Sequence, residues 1–264
     1  MQLQSHHQTE KSSMMPSQPF ILVLASSTSL LCLADGSTIE TGVWAEELLI
    51  PMHQLKDSGW PLVLATPDGT VPRIDPQSLL PENLGSGNNG RLQKIQEHLT
   101  GLELAPVLPL GKIMATLLPA LRGVFLPGGN GPLADFPEDP RIGRLLSYCR
   151  EYSIPVAALC HGTAALLSPD PMTGDRAFHG FEVTCFTEQE ESLTSLRGLW
   201  PYTLEARLRE AGFLVCTAPP WQPCCTVSGG LVCGQNPASS AAMAEAFLQQ
   251  LEKKRKNKGT RHGY

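Results

Sequence analysis

The chain has 264 residues, 42% hydrophobic and 17% charged, with a formal net charge of -5. That length can bury one large core or two modest ones, and the charge gives no basic field to attract nucleic acid or an anionic membrane. Pro, Gly or charged residues interrupt each apolar run before it reaches bilayer-spanning length.

The polar stretch 1–18, with Ser5, His6, His7, Gln8, Thr9, Glu10 and Lys11, lacks the apolar segment of a secretory signal and reads as a disordered leader. Residues 20–25 (FILVLA) read as a buried strand. Trp44, Leu48, Leu49, Met52 and Leu55 then recur at helical spacing over about 43–57, where Pro51 predicts a kink. Residues 61–65 form a second apolar strand. Residues 75–106 read as an insertion on the sheet, with a flexible loop at Gly85-Ser86-Gly87-Asn88-Asn89-Gly90 and a polar helix near 91–98.

Strands at 123–127 and 155–159 bracket a helix from 140 to 152, striped by Ile142, Leu145, Leu146, Cys149 and Tyr152. Pro140 suits its first turn, behind Glu138 and Asp139. A hairpin over 224–233 turns at Gly229-Gly230. A last amphipathic helix carries Ala244, Phe247, Leu248 and Leu251, and the basic run from Lys253 to Lys258 reads as a solvated end within a flexible tail, 253–264. Apolar strands alternating with amphipathic helices predict a parallel sheet covered on both faces, in one α/β domain over 19–252.

The eight cysteines include no C-x-x-C pair, so zinc and thioredoxin-like sites are unsupported. With no secretory signal, they suggest a reducing cytoplasm, and most read as small buried hydrophobes. Cys160 differs. It ends the strand Val156-Ala157-Ala158-Leu159 and precedes His161-Gly162-Thr163, the pattern of a nucleophile elbow. Gly162 allows close packing of strand and helix, and the amides and dipole of a helix started by Thr163 would favour a thiolate. Pro127-Gly128-Gly129-Asn130-Gly131-Pro132 follows the preceding strand, so its amides are candidates to stabilise an oxyanion.

Three segments in order, Phe125-Leu126-Pro127-Gly128-Gly129-Asn130-Gly131, Phe136-Pro137-Glu138-Asp139-Pro140 and Ala158-Leu159-Cys160-His161-Gly162, resemble the ThiJ/PfpI family of the class I glutamine amidotransferase-like superfamily. The heat-shock chaperone and glyoxalase III branch is the nearer likeness. Supporting segments are Thr41-Gly42-Val43-Trp44-Ala45-Glu46-Glu47, Ile74-Asp75-Pro76-Gln77-Ser78-Leu79 and Gly234-Gln235-Asn236-Pro237-Ala238-Ser239-Ser240, so the likeness spans about 20–251.

The resemblance implies a flavodoxin-like, doubly wound, mostly parallel sheet sandwiched by helices, and a homodimer. It also implies a glutamate beside the cysteine, Glu47 ahead of Glu46, with a carboxyl pKa raised by the neighbouring thiolate. His161 becomes the proton carrier and Glu191, ahead of Glu190, the acid that orients it. Gly128, Gly129 and Asn130 bind the substrate oxygen. Two residues depart from the branch pattern: Asn130 stands where histidine is usual, and Thr163 where proline is usual.

Three classes of function follow. The first is a cofactor-free, metal-free enzyme for small carbonyls, converting methylglyoxal to lactate without glutathione or repairing early glycation adducts. The second is a Cys160–His161–Glu191 amide hydrolase. A true glutaminase needs a late His-x-Glu pair, which this chain lacks, because neither His179 nor His262 precedes a glutamate at that spacing. The third is a stress-responsive holdase or a redox sensor using Cys160. His53 is the one histidine near the first helix that suggests a metal ligand, and a surface or core role fits it better.

Overall fold

The apolar runs form the middle of a seven-stranded sheet in the computed structural model, which describes residues 18–83, Ile95, Glu97 and 106–259. The chain begins with β1 (Phe20–Leu24), a small hairpin of β2 (Leu30–Cys32) and β3 (Thr38–Glu40), α1 (Ala45–Asp57) and β4 (Leu62–Thr66). Next come β5 (Val107–Pro109), β6 (Leu121–Leu126), α2 (Pro140–Glu151) and β7 (Val156–Leu159). A short parallel pair, β8 (Glu182–Val183) and β9 (Leu214–Val215), flanks α3 (Leu204–Glu210). The hairpin β10 (Cys225–Ser228) and β11 (Leu231–Gly234) leads to α4 (Ser240–Gly259).

The sheet order is β10-β11-β7-β6-β1-β4-β5, and every pair is parallel except β10 with β11. From β1 the chain builds outward through β4 and β5, then crosses back to β6 and β7. The order therefore reverses between β1 and β6, and such switch points open a crevice at the carboxyl ends of the strands.

Alternation along the strands divides the core in two. Phe20, Leu22 and Leu24 join Leu126, Ala158 and the α2 residues Ile142, Leu145 and Leu146 on one face. Ile21 and Val23 join Phe125, Leu159, the α1 residues Leu48 and Leu55, and the α4 residues Met243 and Phe247 on the other. A strand buried on both faces has no polar positions to alternate with, so it reads as a continuous apolar run.

α2 starts as its sequence directs, with Pro140 in the first turn and the Asp139 side chain accepting from the Arg141 N–H at 2.9 Å. Gly229 and Gly230 both take positive φ, as a two-residue hairpin turn requires. α1 continues through Pro51 to Asp57.

Other expectations change. The basic run from Lys253 is the end of α4, which continues to Gly259, so the expected tail over 253–264 is helical through that residue. The segment after Cys160 is a tighter 3-10 run, Cys160–Leu167, that begins at the cysteine itself. The two-stranded elements β2–β3 and β8–β9 were not read from the sequence. They have two or three residues per strand, too few for a period to show. The leader through Ser17, the loop 85–90 and most of the helix expected near 91–98 lie outside the described residues, while Ile95 and Glu97 are helical.

Candidate active site

β7 delivers Cys160 to the carboxyl edge of the sheet beside the switch point, where its backbone turns with φ of 55°. Such a value is uncommon for a residue with a β-carbon and is a form of strain found at nucleophile elbows. A methyl group at Gly162 would collide with the carbonyl oxygens of Leu126 and Pro127, so only glycine lets the 3-10 run lie against β6. The Thr163 hydroxyl donates to the Cys160 carbonyl at 2.7 Å and secures the turn. The thiol is nearly enclosed, with 4% of the residue exposed.

Glu47 reaches the same point from α1. A side chain at Gly128 would collide with the Glu47 carboxyl, the Leu159 carbonyl and the β-carbon of Cys160. These three groups thus converge on the space that glycine leaves open. Neither Glu47 oxygen completes a hydrogen bond of good geometry, and the donors acting on the carboxyl are the Cys160 thiol and the Gly129 N–H.

Burial, reinforced by the charges of Glu46 and Glu190, pushes the Glu47 carboxyl up from 4.5 to about 8. Burial and the facing Glu47 push the Cys160 thiol well above its usual range, while the His161 N–H pulls in the opposite direction. Helix amides alone therefore do not make a thiolate here: desolvation outweighs them. The Gly129 N–H, expected to face an open oxyanion position, acts on Glu47 instead.

His161 is buried beside the sulfur, with Nδ1 3.8 Å from Sγ. Its Nε2 lies 3.4 Å from Oε1 of Glu191, which also accepts from the Leu204 N–H at 3.4 Å. The imidazole lies between Phe186 and Trp200, with ring centroids at 4.7 and 5.3 Å. Glu190 is engaged in a different network, and Glu46 is buried as well.

Asp75 belongs to a segment of the family likeness, carries no role in the sequence reading, and is fully buried at the rim. It accepts from the Thr41 hydroxyl at 3.0 Å, the Gln77 N–H at 2.9 Å and the Asn130 amide at 3.3 Å. Burial raises its pKa, and the charge of His161 acts against that rise. The Asn130 side chain is thus engaged by Asp75 before any substrate arrives. An acid placed immediately before Pro76, where it caps a 3-10 turn, is the local signal that marks it.

Among the described residues no group of three His, Cys, Asp or Glu side chains is placed to hold a metal ion, and no helix is long and apolar enough to cross a membrane. A cleft of about 370 Å³ lined by Thr187, Glu188, Ser192 and Glu205, among others, includes none of Cys160, His161, Glu47 and Glu191.

No family model matches the chain. It is 27% identical over 250 residues to "Glutathione-independent glyoxalase hsp3101" of Schizosaccharomyces pombe, covering 92% of this chain and 100% of that protein. It is 25% identical over 206 residues to "Protein/nucleic acid deglycase HchA" of Pseudomonas aeruginosa, covering 73% of this chain and 67% of that one. In three dimensions it matches the crystal structure of glyoxalase III from Candida albicans with a TM-score of 0.72 at 22% identity, over 88% of this chain and 97% of the other. A ThiJ/PfpI domain protein from Brachyspira murdochii shares the fold with a TM-score of 0.56 at 15% identity, over 89% of this chain and 98% of that one. By sequence the chain is thus similar to glyoxalase and deglycase proteins, and in three dimensions it shares the fold of a ThiJ/PfpI domain protein, with the strained turn at Cys160 beside the switch point of the sheet.

Proposed function

We propose that the chain is a cysteine enzyme that converts small 2-oxoaldehydes such as methylglyoxal to 2-hydroxy acids without glutathione, or reverses their early adducts by the same carbonyl chemistry. The observation that carries this reading is the Cys160–Glu47 pair, two acids that compete for protons in a buried site. The names of the glyoxalase and deglycase relatives support it.

The pair loses its first proton near pH 8, and the remaining proton is shared between them. With that proton on Glu47, the Cys160 sulfur attacks the aldehyde carbon and Glu47 protonates the aldehyde oxygen, giving a hemithioacetal. His161 then carries the proton on that carbon to the neighbouring carbon. Glu47 carries the hydroxyl proton to the second oxygen. The path runs through an enediol and ends at a thioester of the 2-hydroxy acid. The aldehyde carbon is oxidised and the ketone carbon reduced, so no external oxidant enters. Water deprotonated by His161, with Glu191 orienting the ring, attacks the thioester and breaks the carbon–sulfur bond.

The test is D-lactate formation from methylglyoxal after chelator treatment and without glutathione. Wild type forms product, while Cys160→Ser and Glu47→Gln fall by about a hundredfold or more. No product from wild type would sink the activity, and product persisting in Cys160→Ser would sink the mechanism. The Cys160–His161–Glu191 line also suits acyl transfer. Turnover of aminoacyl amides in place of oxoaldehydes would favour hydrolysis.

A further inference from the structure

The loop between β9 and β10 contains a turn that its sequence does not favour. The Gln222 N–H donates to the Pro219 carbonyl at 3.1 Å, closing a four-residue turn with Pro220 second and Trp221 third. Trp221 has φ of 65°. A turn with positive φ at the third position normally takes glycine there, and a bulky side chain is disfavoured.

Glu190 holds this conformation. Its Oε1 accepts from the Trp221 N–H at 2.9 Å and the Asn236 amide at 2.8 Å. Its Oε2 accepts from the Thr187 N–H at 3.0 Å, the Thr187 hydroxyl at 2.9 Å and the Gln235 amide at 3.2 Å. Gln235 also holds Ala218, accepting from its N–H and donating to its carbonyl. One buried carboxylate therefore joins the loop to the segment that carries Glu191. Strained backbone persists where its surroundings fix it, and it concentrates at binding sites.

The held residue continues a row of rings. His161 lies tilted against Phe186 at 4.7 Å, and Phe186 meets Trp221 at 5.7 Å. His161 and Phe186 are buried, whereas Trp221 is 48% exposed. A row of ring contacts thus leads from the imidazole beside Cys160 to an indole surface open to solvent. Methylglyoxal has nothing to reach that surface with. A flat apolar group on the second carbonyl does.

We propose that Trp221 is the specificity-determining residue of the Cys160 site, selecting 2-oxoaldehydes with an aryl substituent over methylglyoxal, with Glu190 as the positioning residue that holds it. This rests on the activity proposed above, and the chemistry is unchanged: an arylglyoxal plus water gives a mandelate-type acid.

The experiment compares kcat/KM for phenylglyoxal and methylglyoxal in wild type, Trp221→Gly, Trp221→Phe and Glu190→Gln. Glycine removes the ring and also suits the positive φ, so the variant keeps its fold. Wild type favours phenylglyoxal by about five- to tenfold, the scale of one aromatic stacking contact. Trp221→Gly loses that preference through KM while methylglyoxal turnover stays within about twofold, and Trp221→Phe restores most of it. Glu190→Gln lowers kcat/KM for phenylglyoxal more than for methylglyoxal, since its charge also acts on Glu47 and so reaches both substrates; an equal loss on both substrates would reduce Glu190 to a structural role. An unchanged ratio in Trp221→Gly overturns the assignment of Trp221. Calorimetric titration of Cys160→Ser with mandelate and lactate separates the two readings. Mandelate preference that depends on Trp221, with no turnover of either oxoaldehyde, sinks the activity and keeps the specificity assignment. Mandelate binding that is equal with and without the ring overturns that assignment whatever the turnover.

Discussion

Cys160 and Glu47 occupy a space too poor in water to hold two negative charges, and this makes the pair sensitive to pH. The Glu47 carboxyl rises from 4.5 to about 8 on folding, so the native state binds more protons than the unfolded chain between those values. Its contribution to stability is therefore complete below about pH 4.5 and is lost as pH rises through about 8. In urea denaturation, wild type should lose about 3–4 kcal/mol between pH 5 and pH 8.5 relative to Glu47→Gln, which has no such proton to release. Parallel stability curves for the two proteins would contradict the raised carboxyl. The kcat/KM of wild type should rise with pH to a plateau governed by an apparent pKa near 8. Local pattern was enough to single out Cys160 and Gly162, because a strand, a nucleophile and a small residue are contiguous in the chain. Glu47 looks like an ordinary acid in the first turn of a helix, and only the family likeness singled it out. What buries it is the missing side chain at Gly128, 81 positions away.

Among elements, the turn Glu188–Glu191 shows why four consecutive polar residues resist assignment from sequence. Adjacent helical residues point about 100° apart, so Glu190 and Glu191 must serve different neighbours. Glu190 completes a capping box with Thr187 and anchors Trp221, Gln235 and Asn236, while Glu191 faces His161. Glu190→Ala leaves its donors unpaired in the interior and should cost about 3 kcal/mol or more in urea denaturation. Glu191→Gln keeps an acceptor for the Leu204 N–H, so stability should change by about 1 kcal/mol or less while kcat falls roughly 10- to 100-fold. The reverse ranking, with Glu191 structural and Glu190 needed only for turnover, would overturn this division of roles. The elbow is equally exacting. Gly162→Ala meets two backbone carbonyls that cannot retreat without moving the end of β6, and soluble yield or melting temperature should drop sharply.

At the scale of the molecule, the long central strands were legible because each one lies between two helical layers and is apolar throughout. The order of the strands was not, since β4 and β7 read alike in sequence while lying on opposite sides of β1. That order is set by helices packing across the sheet, and α4 shows how closely. A β-carbon at Gly123 in β6 would stand 2.8 Å from both the Phe247 ring and the Leu251 side chain of α4, so glycine there lets the helix lie against the strand. Phe247→Ala opens a cavity and should cost about 3–5 kcal/mol. Gly123→Ala overfills the same contact and should cost about 1–3 kcal/mol. The double variant should be more stable than the sum of the two predicts, by about 0.5–3 kcal/mol, because the added methyl enters space that the lost ring vacates. Strict additivity in a double-mutant cycle would mean that α4 and β6 adjust independently. The contact lies near the start of β6 rather than at the carboxyl edge that carries Cys160, so turnover per folded molecule should stay near wild type in all three variants.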